Sequence, residues 1–483
     1  MAEMLIAGER SGAQSGEELE VVDPATEESV GSVPSAGPED VDRAVEAAAG
    51  AFPEWSRTDG DDRAKLLRRA IANIEGATKE LADLLMHEQG KPMMEAAGEV
   101  THFVHGLQYY ADLTTKVRGA YQPLPSQLGP AYGMVIRRPI GVCAAIVPNN
   151  FPLTLLGTKL GPALAAGNTV VVKPAATTPL ATLRVAELMQ EADIPPGVVN
   201  VITGRGQAIG DHLVTHPRVR RVAFTGSTPV GRHITEIAAP KFKRLTMELG
   251  GSDPVIVCPD ADVKSAVRGI SIARYWNCGQ GCLATKRVFV FDEVFDDFVS
   301  QMADAVRRYE PGEGWEKAEK PRLRIGPLHT EKGREEVLGQ LQDAVDGGGE
   351  LVVGGDVPRD KGWFMNPAIV TEPPPDSRVA QEEVFGPVLP IWRVKSLDEA
   401  IERANDTEYG LGSSVWTSDA RVIHRVAQEV DAGMTWVNQL HFGYDELPFG
   451  GIKESGYGKE HGMEALDYYF EDKSVVVGGL ALS

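Results

Sequence analysis

Cysteine is scarce in this chain: Cys143, Cys258, Cys278 and Cys282 are the four among 483 residues. So few exclude a disulfide framework. Cys278 and Cys282 stand four apart with no His or Cys cluster to complete a zinc site, so no metal is expected. The usage points to a reducing cytoplasm. No run of about 18 apolar residues is present, so no membrane span is expected. The start, Met1-Ala2-Glu3-Met4-Leu5, lacks the basic stretch and apolar run of a signal peptide. Positive charge is in deficit: 48 Lys and Arg against 69 Asp and Glu give −21. That balance argues against nucleic acid or an anionic membrane as partner. Aromatic residues reach only 7%, yet 42% hydrophobic and 24% charged residues are ordinary for a globular chain, so a large core can form. The length exceeds one core and predicts two or three domains.

The chain has two rhythms. Residues 4–22 are short apolar stretches broken by Gly and Ser, predicting hairpin strands, and Asp23-Pro24-Ala25-Thr26 reads as a turn. From Pro38, Val41, Ala44, Val45, Ala48 and Ala49 recur at helical spacing. Helices are predicted over 63–74, 81–89 and 93–116, with Gly90-Lys91-Pro92 as a stop signal. Residues 121–130 are rich in Pro and Gln and leave that block. Apolar strands over 141–148, 169–174, 198–203 and 221–225 then alternate with helices over 153–165 and 180–192. Such alternation implies a parallel, doubly wound sheet, and runs buried on both faces suit it. Gly250-Gly251 marks a boundary. A second α/β block follows, with a strand from Asp253, helices over 292–309, 331–344 and 397–405, and an extended segment over 384–390. The stretch 469–478 is β-like.

Three groups carry chemistry. Cys282 lies in Asn277-Cys278-Gly279-Gln280-Gly281-Cys282-Leu283, Glu248 in Glu248-Leu249-Gly250-Gly251, and Asn150 in Pro148-Asn149-Asn150-Phe151-Pro152. Each lies close to Gly or Pro, where the backbone turns and presents side chains at strand ends. A thiol, a carboxylate and an amide suffice to attack a carbonyl, hold the oxyanion and hydrolyse a thioester. Taken singly, each has a plainer explanation: an inert buried thiol, or a charge at a strand end.

Nucleotide signals are of unequal weight. Thr203-Gly204-Arg205-Gly206-Gln207-Ala208-Ile209-Gly210 spaces its glycines one residue wider than the usual dinucleotide fingerprint, and a plain strand-to-helix turn explains it equally well. Phe224-Thr225-Gly226-Ser227 is stronger, because free amides at a helix start favour a pyrophosphate. Lys173 ends an apolar strand and can reach a ribose or its phosphate. Lys173, Thr203 and Thr225 all fall at strand carboxyl ends, where open α/β sheets bind ligands.

Together these segments resemble the aldehyde dehydrogenase superfamily, in its hydrolytic, NAD(P)-dependent form. The resemblance runs from about Asp23 to about Lys473. It rests on Pro148-Asn149-Asn150-Phe151-Pro152, Val172-Lys173-Pro174, Phe224-Thr225-Gly226, Glu248-Leu249-Gly250-Gly251, Gly279-Gln280-Gly281-Cys282, Glu383-Val384-Phe385-Gly386-Pro387 and Pro448-Phe449-Gly450-Gly451-Ile452-Lys453-Glu454-Ser455-Gly456. The resemblance implies a Rossmann-like cofactor domain over 1–120 and 139–250 and a catalytic α/β domain over 251–445. It also implies a small β oligomerisation element over 121–138 and 466–483, with 446–465 returning to the cofactor side. Cys282 would be the nucleophile, Asn150 the oxyanion donor and Glu248 the base for hydrolysis. Lys159 and Glu460 would support that base and a proton path. The cofactor, NAD or NADP with NAD slightly ahead, would meet Val147, Pro148, Asn149, Lys173, Ala176, Gly206, Gly210, Phe224, Thr225, Gly226, Ser227, Glu248, Leu249 and Gly250. Glu383 would take the nicotinamide ribose and Phe385 would pack beside the ring.

The chain departs from the family pattern in three places. Asn149 stands where many members have a tryptophan. Ala176 stands three residues after Lys173, where strict NAD users often carry a glutamate that repels a 2′-phosphate. Trp276, six before the nucleophile, replaces the arginine that clamps the carboxylate of succinate semialdehyde. Trp276, Leu155, Thr158, Gly281, Phe442 and Phe449 are therefore expected to line an aromatic or apolar mouth. The implied substrate is an aromatic, aliphatic or hydroxylated aldehyde. The alternatives are a succinate-semialdehyde-type enzyme, a coenzyme A-acylating member and a catalytically silent binding protein on this fold. A homodimer or homotetramer is expected from the exposed strands.

Overall fold

A computed structural model describes residues 2–125, 130–316 and 322–478. Strands buried along their whole length build the centres of two sheets. Val142–Ile146 and Thr169–Lys173 have no exposed residue, so each must be covered on both faces. They sit in an eight-stranded sheet ordered Glu9–Ser11, Met4–Ile6, Val199–Val201, Thr169–Lys173, Val142–Ile146, Val219–Thr225, Arg244–Glu248 and Gly456–Tyr457. The five central strands are parallel. The chain builds outward from Val142–Ile146 in one direction and then returns to its other side at Val219–Thr225. That reversal opens a crevice at the carboxyl ends, the usual ligand site of a doubly wound sheet.

The second sheet has seven strands, ordered Glu350–Val353, Ala368–Thr371, Val388–Val394, Arg287–Phe291, Pro254–Val257, Gly412–Trp416 and Met434–Val437. All but the first pairing are parallel. Phe470–Gly478, Ala131–Pro139 and Ala120–Leu124 form a separate antiparallel sheet with Tyr121, Ile136 and Val476 exposed. The segments expected to serve oligomerisation, 121–138 and 466–483, contribute most of these strands; residues 126–129 and 479–483 lie outside the described residues. Met1 and residues 317–321, within the expected cofactor and catalytic domains, also lie outside them.

The stop at Gly90 has a clear physical cause. Helix Thr78–Gln89 ends on Gly90 at φ +97°, whose N–H reaches the Met86 carbonyl at 3.0 Å, and a Cβ there would come within 2.9 Å of Pro327. Helix Met93–Leu113 then starts after Pro92. Some predicted limits shift. The helix expected over 93–116 stops at Leu113, where the Thr114 hydroxyl takes the Tyr110 carbonyl. The one expected over 292–309 stops at Val306, because Tyr309–Pro311 pairs with Leu323–Ile325. The extended segment over 384–390 becomes a strand only from Val388. The buried Arg274 guanidinium takes the carbonyls of Val384 and Gly386, which removes them from a ladder. Among the described residues no helix is long and apolar enough to cross a membrane.

Candidate active site

Helix Val263–Tyr275 starts on Asp262, whose carboxylate accepts from the Ser265 N–H at 3.3 Å. It runs into the short turn Trp276–Gly279, where Asn277, Cys278 and Gly279 all have positive φ (+50°, +55° and +73°). Left-handed backbone costs a non-glycine residue about 1–2 kcal/mol, so neighbours must hold it. They do. The Asn277 N–H donates to Glu95 at 2.7 Å and its side chain donates to the Asn150 carbonyl at 2.8 Å. The Gln280 side chain donates to the Asn277 carbonyl at 3.1 Å and accepts from the His329 N–H at 2.8 Å. This loop delivers Cys282, which keeps partial solvent access while Cys143, Cys258 and Cys278 are buried.

Asn150 follows strand Val142–Ile146 and packs on that loop. Its Nδ2 donates to the Gln280 carbonyl at 3.1 Å, which leaves a second amide hydrogen, and its Oδ1 has no partner. Glu248 ends strand Arg244–Glu248. It is 1% exposed and neither carboxylate oxygen has a hydrogen-bond partner. Burial, and then the charge of Glu460, push its carboxyl up to about 8, against Lys159 and the neighbouring Cys282 thiol. Burial, and then the Glu248 carboxylate, hold that thiol well above its ordinary range. A charge on Glu248 thus disfavours the thiolate beside it.

Lys159 and Glu460 form a buried pair at 2.7 Å. The Lys159 ammonium also donates to the Thr225 hydroxyl at 2.7 Å, and the Thr158 hydroxyl donates to Glu460 at 2.7 Å. Thr158, expected to line the substrate mouth, is thus committed to this pair, and Thr225 to the lysine. Register explains how Glu460 arrives: Gly456–Tyr457 adds to the sheet beside Glu248, and Phe449 and Glu460 bridge each other.

The expected cofactor residues gather at the carboxyl ends of the first sheet. Val147 is buried, and Pro148 and Asn149 are half-buried. Helix Thr228–Ala238 begins at exposed Ser227, whose side chain makes no cap bond, so first-turn amides remain open to an anion. Phe224 lies against Gly226, where a Cβ would meet its ring at 2.5 Å. Leu249 is buried beside Gly231. A Cβ on Gly250 would lie 2.7 Å from Glu383 Oε2, so a glycine keeps that carboxylate accessible. Lys173 folds onto the Pro174 carbonyl at 3.2 Å, and burial draws its ammonium down to about 8. Ala176 is half-buried nearby. Gly206 and Gly210 face open space, so steric closeness does not demand glycine at either. Gly206 opens helix Gly206–Thr215, which follows strand Val199–Val201. Open amides and a glycine-cleared carboxylate together fit a nucleotide.

Half-buried Trp276 packs toward helix Met93–Leu113 at Gly98, and Phe442 sits edge-on to His102 at 4.7 Å. Gly281 adjoins Phe151, Leu155 is buried in helix Pro152–Ala165, and Phe449 is buried against His461.

Sequence reasoning missed Lys286. Its buried ammonium donates to the Cys282 carbonyl at 2.8 Å and to Glu383 Oε1 at 2.7 Å. It also missed Lys91, buried with Glu99 and donating to the Asn150 carbonyl at 2.7 Å. A lysine in a buried nucleophile loop was the available signal for the first. For the second, the stop signal at Gly90 hid the charge.

Residues 11–475 match the family model described as the aldehyde dehydrogenase family. The NADP(+) succinate-semialdehyde dehydrogenase of Escherichia coli is 37% identical over 98% of this chain and 97% of its own. The phenylacetaldehyde dehydrogenase of Pseudomonas fluorescens is 39% identical over 98% and 95%. The crystal structure of an NAD-dependent aldehyde dehydrogenase from Sinorhizobium meliloti superposes with a TM-score of 0.96 at 36% identity, over 100% of this chain and 95% of that one.

Proposed function

The chain belongs to the aldehyde dehydrogenase family, and on that premise we propose that Cys282, Asn150 and Glu248 carry its oxidation of an aldehyde to a carboxylic acid. The single observation behind these roles is the unpartnered Glu248 carboxylate buried beside the one cysteine that solvent reaches. The Cys282 thiol gives its proton to solvent, and its sulfur bonds to the carbonyl carbon as the carbonyl π bond breaks. The oxygen becomes an oxyanion, held by the free Asn150 amide hydrogen. When bound, NAD or NADP accepts the hydride that leaves this carbon. The carbon stays on sulfur as a thioester. Glu248 then takes a proton from water, the water oxygen adds to the carbon, and the carbon–sulfur bond breaks. The acid departs and the thiolate is restored. Lys159 and Glu460 pass the proton on from Glu248.

Glu383 would hold the nicotinamide ribose, the start of helix Thr228–Ala238 the pyrophosphate, and Lys173 the adenine ribose. Without a glutamate at Ala176, both nucleotides serve, NAD slightly ahead. Trp276 and Phe442 favour aromatic or aliphatic aldehydes over a dicarboxylate semialdehyde, because no arginine replaces the missing clamp at that position. The buried base disfavours transfer to coenzyme A, which needs no activated water. The exposed three-stranded sheet supports a homodimer or homotetramer.

The test is formation of reduced nicotinamide with benzaldehyde, a medium aliphatic aldehyde, lactaldehyde and succinate semialdehyde, each with NAD and NADP. Turnover that vanishes in Cys282→Ala is expected. Turnover that survives that substitution rejects the assignment, and best activity with succinate semialdehyde rejects the Trp276 argument.

A further inference from the structure

No step of the oxidation requires Lys286, yet it is 0% exposed. A buried ammonium must be paired to be tolerated. Its partners are the Cys282 carbonyl at 2.8 Å and Glu383 Oε1 at 2.7 Å. The same Oε1 accepts from the Gly251 N–H at 3.1 Å. One ammonium and one carboxylate oxygen therefore join three loops. These are the loop after Glu248, the loop of Cys282, and the segment before strand Val388–Val394. With Oε1 saturated, Oε2 is the oxygen left for a ligand, and Gly250 keeps its approach clear.

We propose that Lys286 is a positioning residue for the oxidation: it clamps Glu383 so that one oxygen stays free for the nicotinamide ribose, and it favours ionisation of Cys282 from the same loop. This rests on reading Glu383 as the ribose ligand and Cys282 as the nucleophile. The charges around the thiol come from several elements. Glu248 at its strand end and Glu383 both disfavour the thiolate, and Lys286 opposes them. Lys159 and Glu460 act through Glu248. His441 Nδ1 lies 3.0 Å from the Leu283 carbonyl, which it meets only as a donor, and 3.3 Å from Asp253 behind the loop.

Opposite signs distinguish this role from a structural one. The readout is the pH midpoint of Cys282 alkylation by iodoacetamide in the full-length chain, with Cys282→Ala as the blank. Lys286→Met should raise the midpoint by about one unit, a tenfold loss of thiolate below it. Glu383→Gln should lower it, because the ammonium then faces the thiol uncompensated. Lys286→Arg should restore it toward wild type. Lys286→Met should also raise KM for the nucleotide more than KM for the aldehyde. Should Lys286→Met fail to fold, Lys286→Gln and Glu383→Gln carry the same test. Midpoints that stay put, or that move the same way in the lysine and glutamate variants, overturn the proposal. Failure of the underlying reading looks different: Cys282→Ala would still turn over, or Glu383→Gln would leave nucleotide KM unchanged.

Discussion

Replacing Glu248 by Gln should separate the two halves of the reaction. The carboxylate is buried without a hydrogen-bond partner, and its carboxyl is pushed up to about 8. At pH 7 roughly a tenth of it is then ionised, and at pH 9 roughly nine-tenths. Thioester hydrolysis needs the ionised form, so its rate in the wild type should climb roughly tenfold between these pH values. Glutamine is uncharged at both. The variant should lose about 10²–10⁴ in hydrolysis, the usual contribution of a positioned base, and should lose the pH rise with it. Thiol attack and hydride loss do not use the base. Stopped-flow absorbance should therefore show a burst of about one reduced nucleotide per subunit in the variant, followed by a slow steady phase. A steady rate within about threefold of wild type, or loss of the burst, refutes the assignment.

The same shift has a stability consequence. A carboxyl raised in the fold binds its proton more tightly there than in the unfolded chain. Folding stability contributed by this group is thus whole below about 4.5 and is lost as pH rises toward 8. Glutamine mimics the protonated form, so Glu248→Gln should melt higher than wild type at pH 9 and alongside it at pH 4.5.

Trp276→Arg should raise kcat/KM for succinate semialdehyde by about tenfold or more, since a hydrogen bond to a charged group contributes about 1.5–3 kcal/mol, and should lower it for benzaldehyde. Ala176→Glu should cut NADP use by about tenfold relative to NAD through like-charge repulsion, read as the ratio of kcat/KM values. Lys159→Met and Glu460→Gln should each destabilise by about 3–5 kcal/mol by stranding a buried partner, while the double variant should be milder than either, as thermal melts will show.

Much of the fold was readable from local pattern. The strands over 141–148 and 169–174 and the helix over 397–405 appear where apolar runs and helical spacing put them, because one residue type dominates each face. Ser396 caps that last helix, its side chain accepting from the Glu399 N–H. The errors came where a distant group decides. Nothing within residues 384–387 says that Arg274 will take two of their carbonyls. The left-handed backbone at Asn277 and Cys278 depends on Glu95 and Asn150, far away in sequence. That the Thr158 hydroxyl donates to Glu460, 302 residues away, is likewise not written in its apolar neighbours.

The candidate site itself was legible for a different reason. Asn150 and Cys282 sit in turns and Glu248 at a strand end beside Gly250-Gly251, and such punctuation is local. Their roles, however, follow from pairing. Five glutamates are buried among the described residues: Glu88, Glu95, Glu99, Glu248 and Glu460. Glu88 accepts from the Leu180 and Ala181 amides, Glu95 from the Asn277 amide, Glu99 pairs with Lys91, and Glu460 with Lys159. Glu248 alone has no partner. A buried carboxylate is costly unless matched, so an unmatched one persists only where something else exploits it. Its raised affinity for a proton is what a base near neutral pH requires. The paired glutamates hold the loops in place, and the unpaired one is the carboxylate we propose as the base for water.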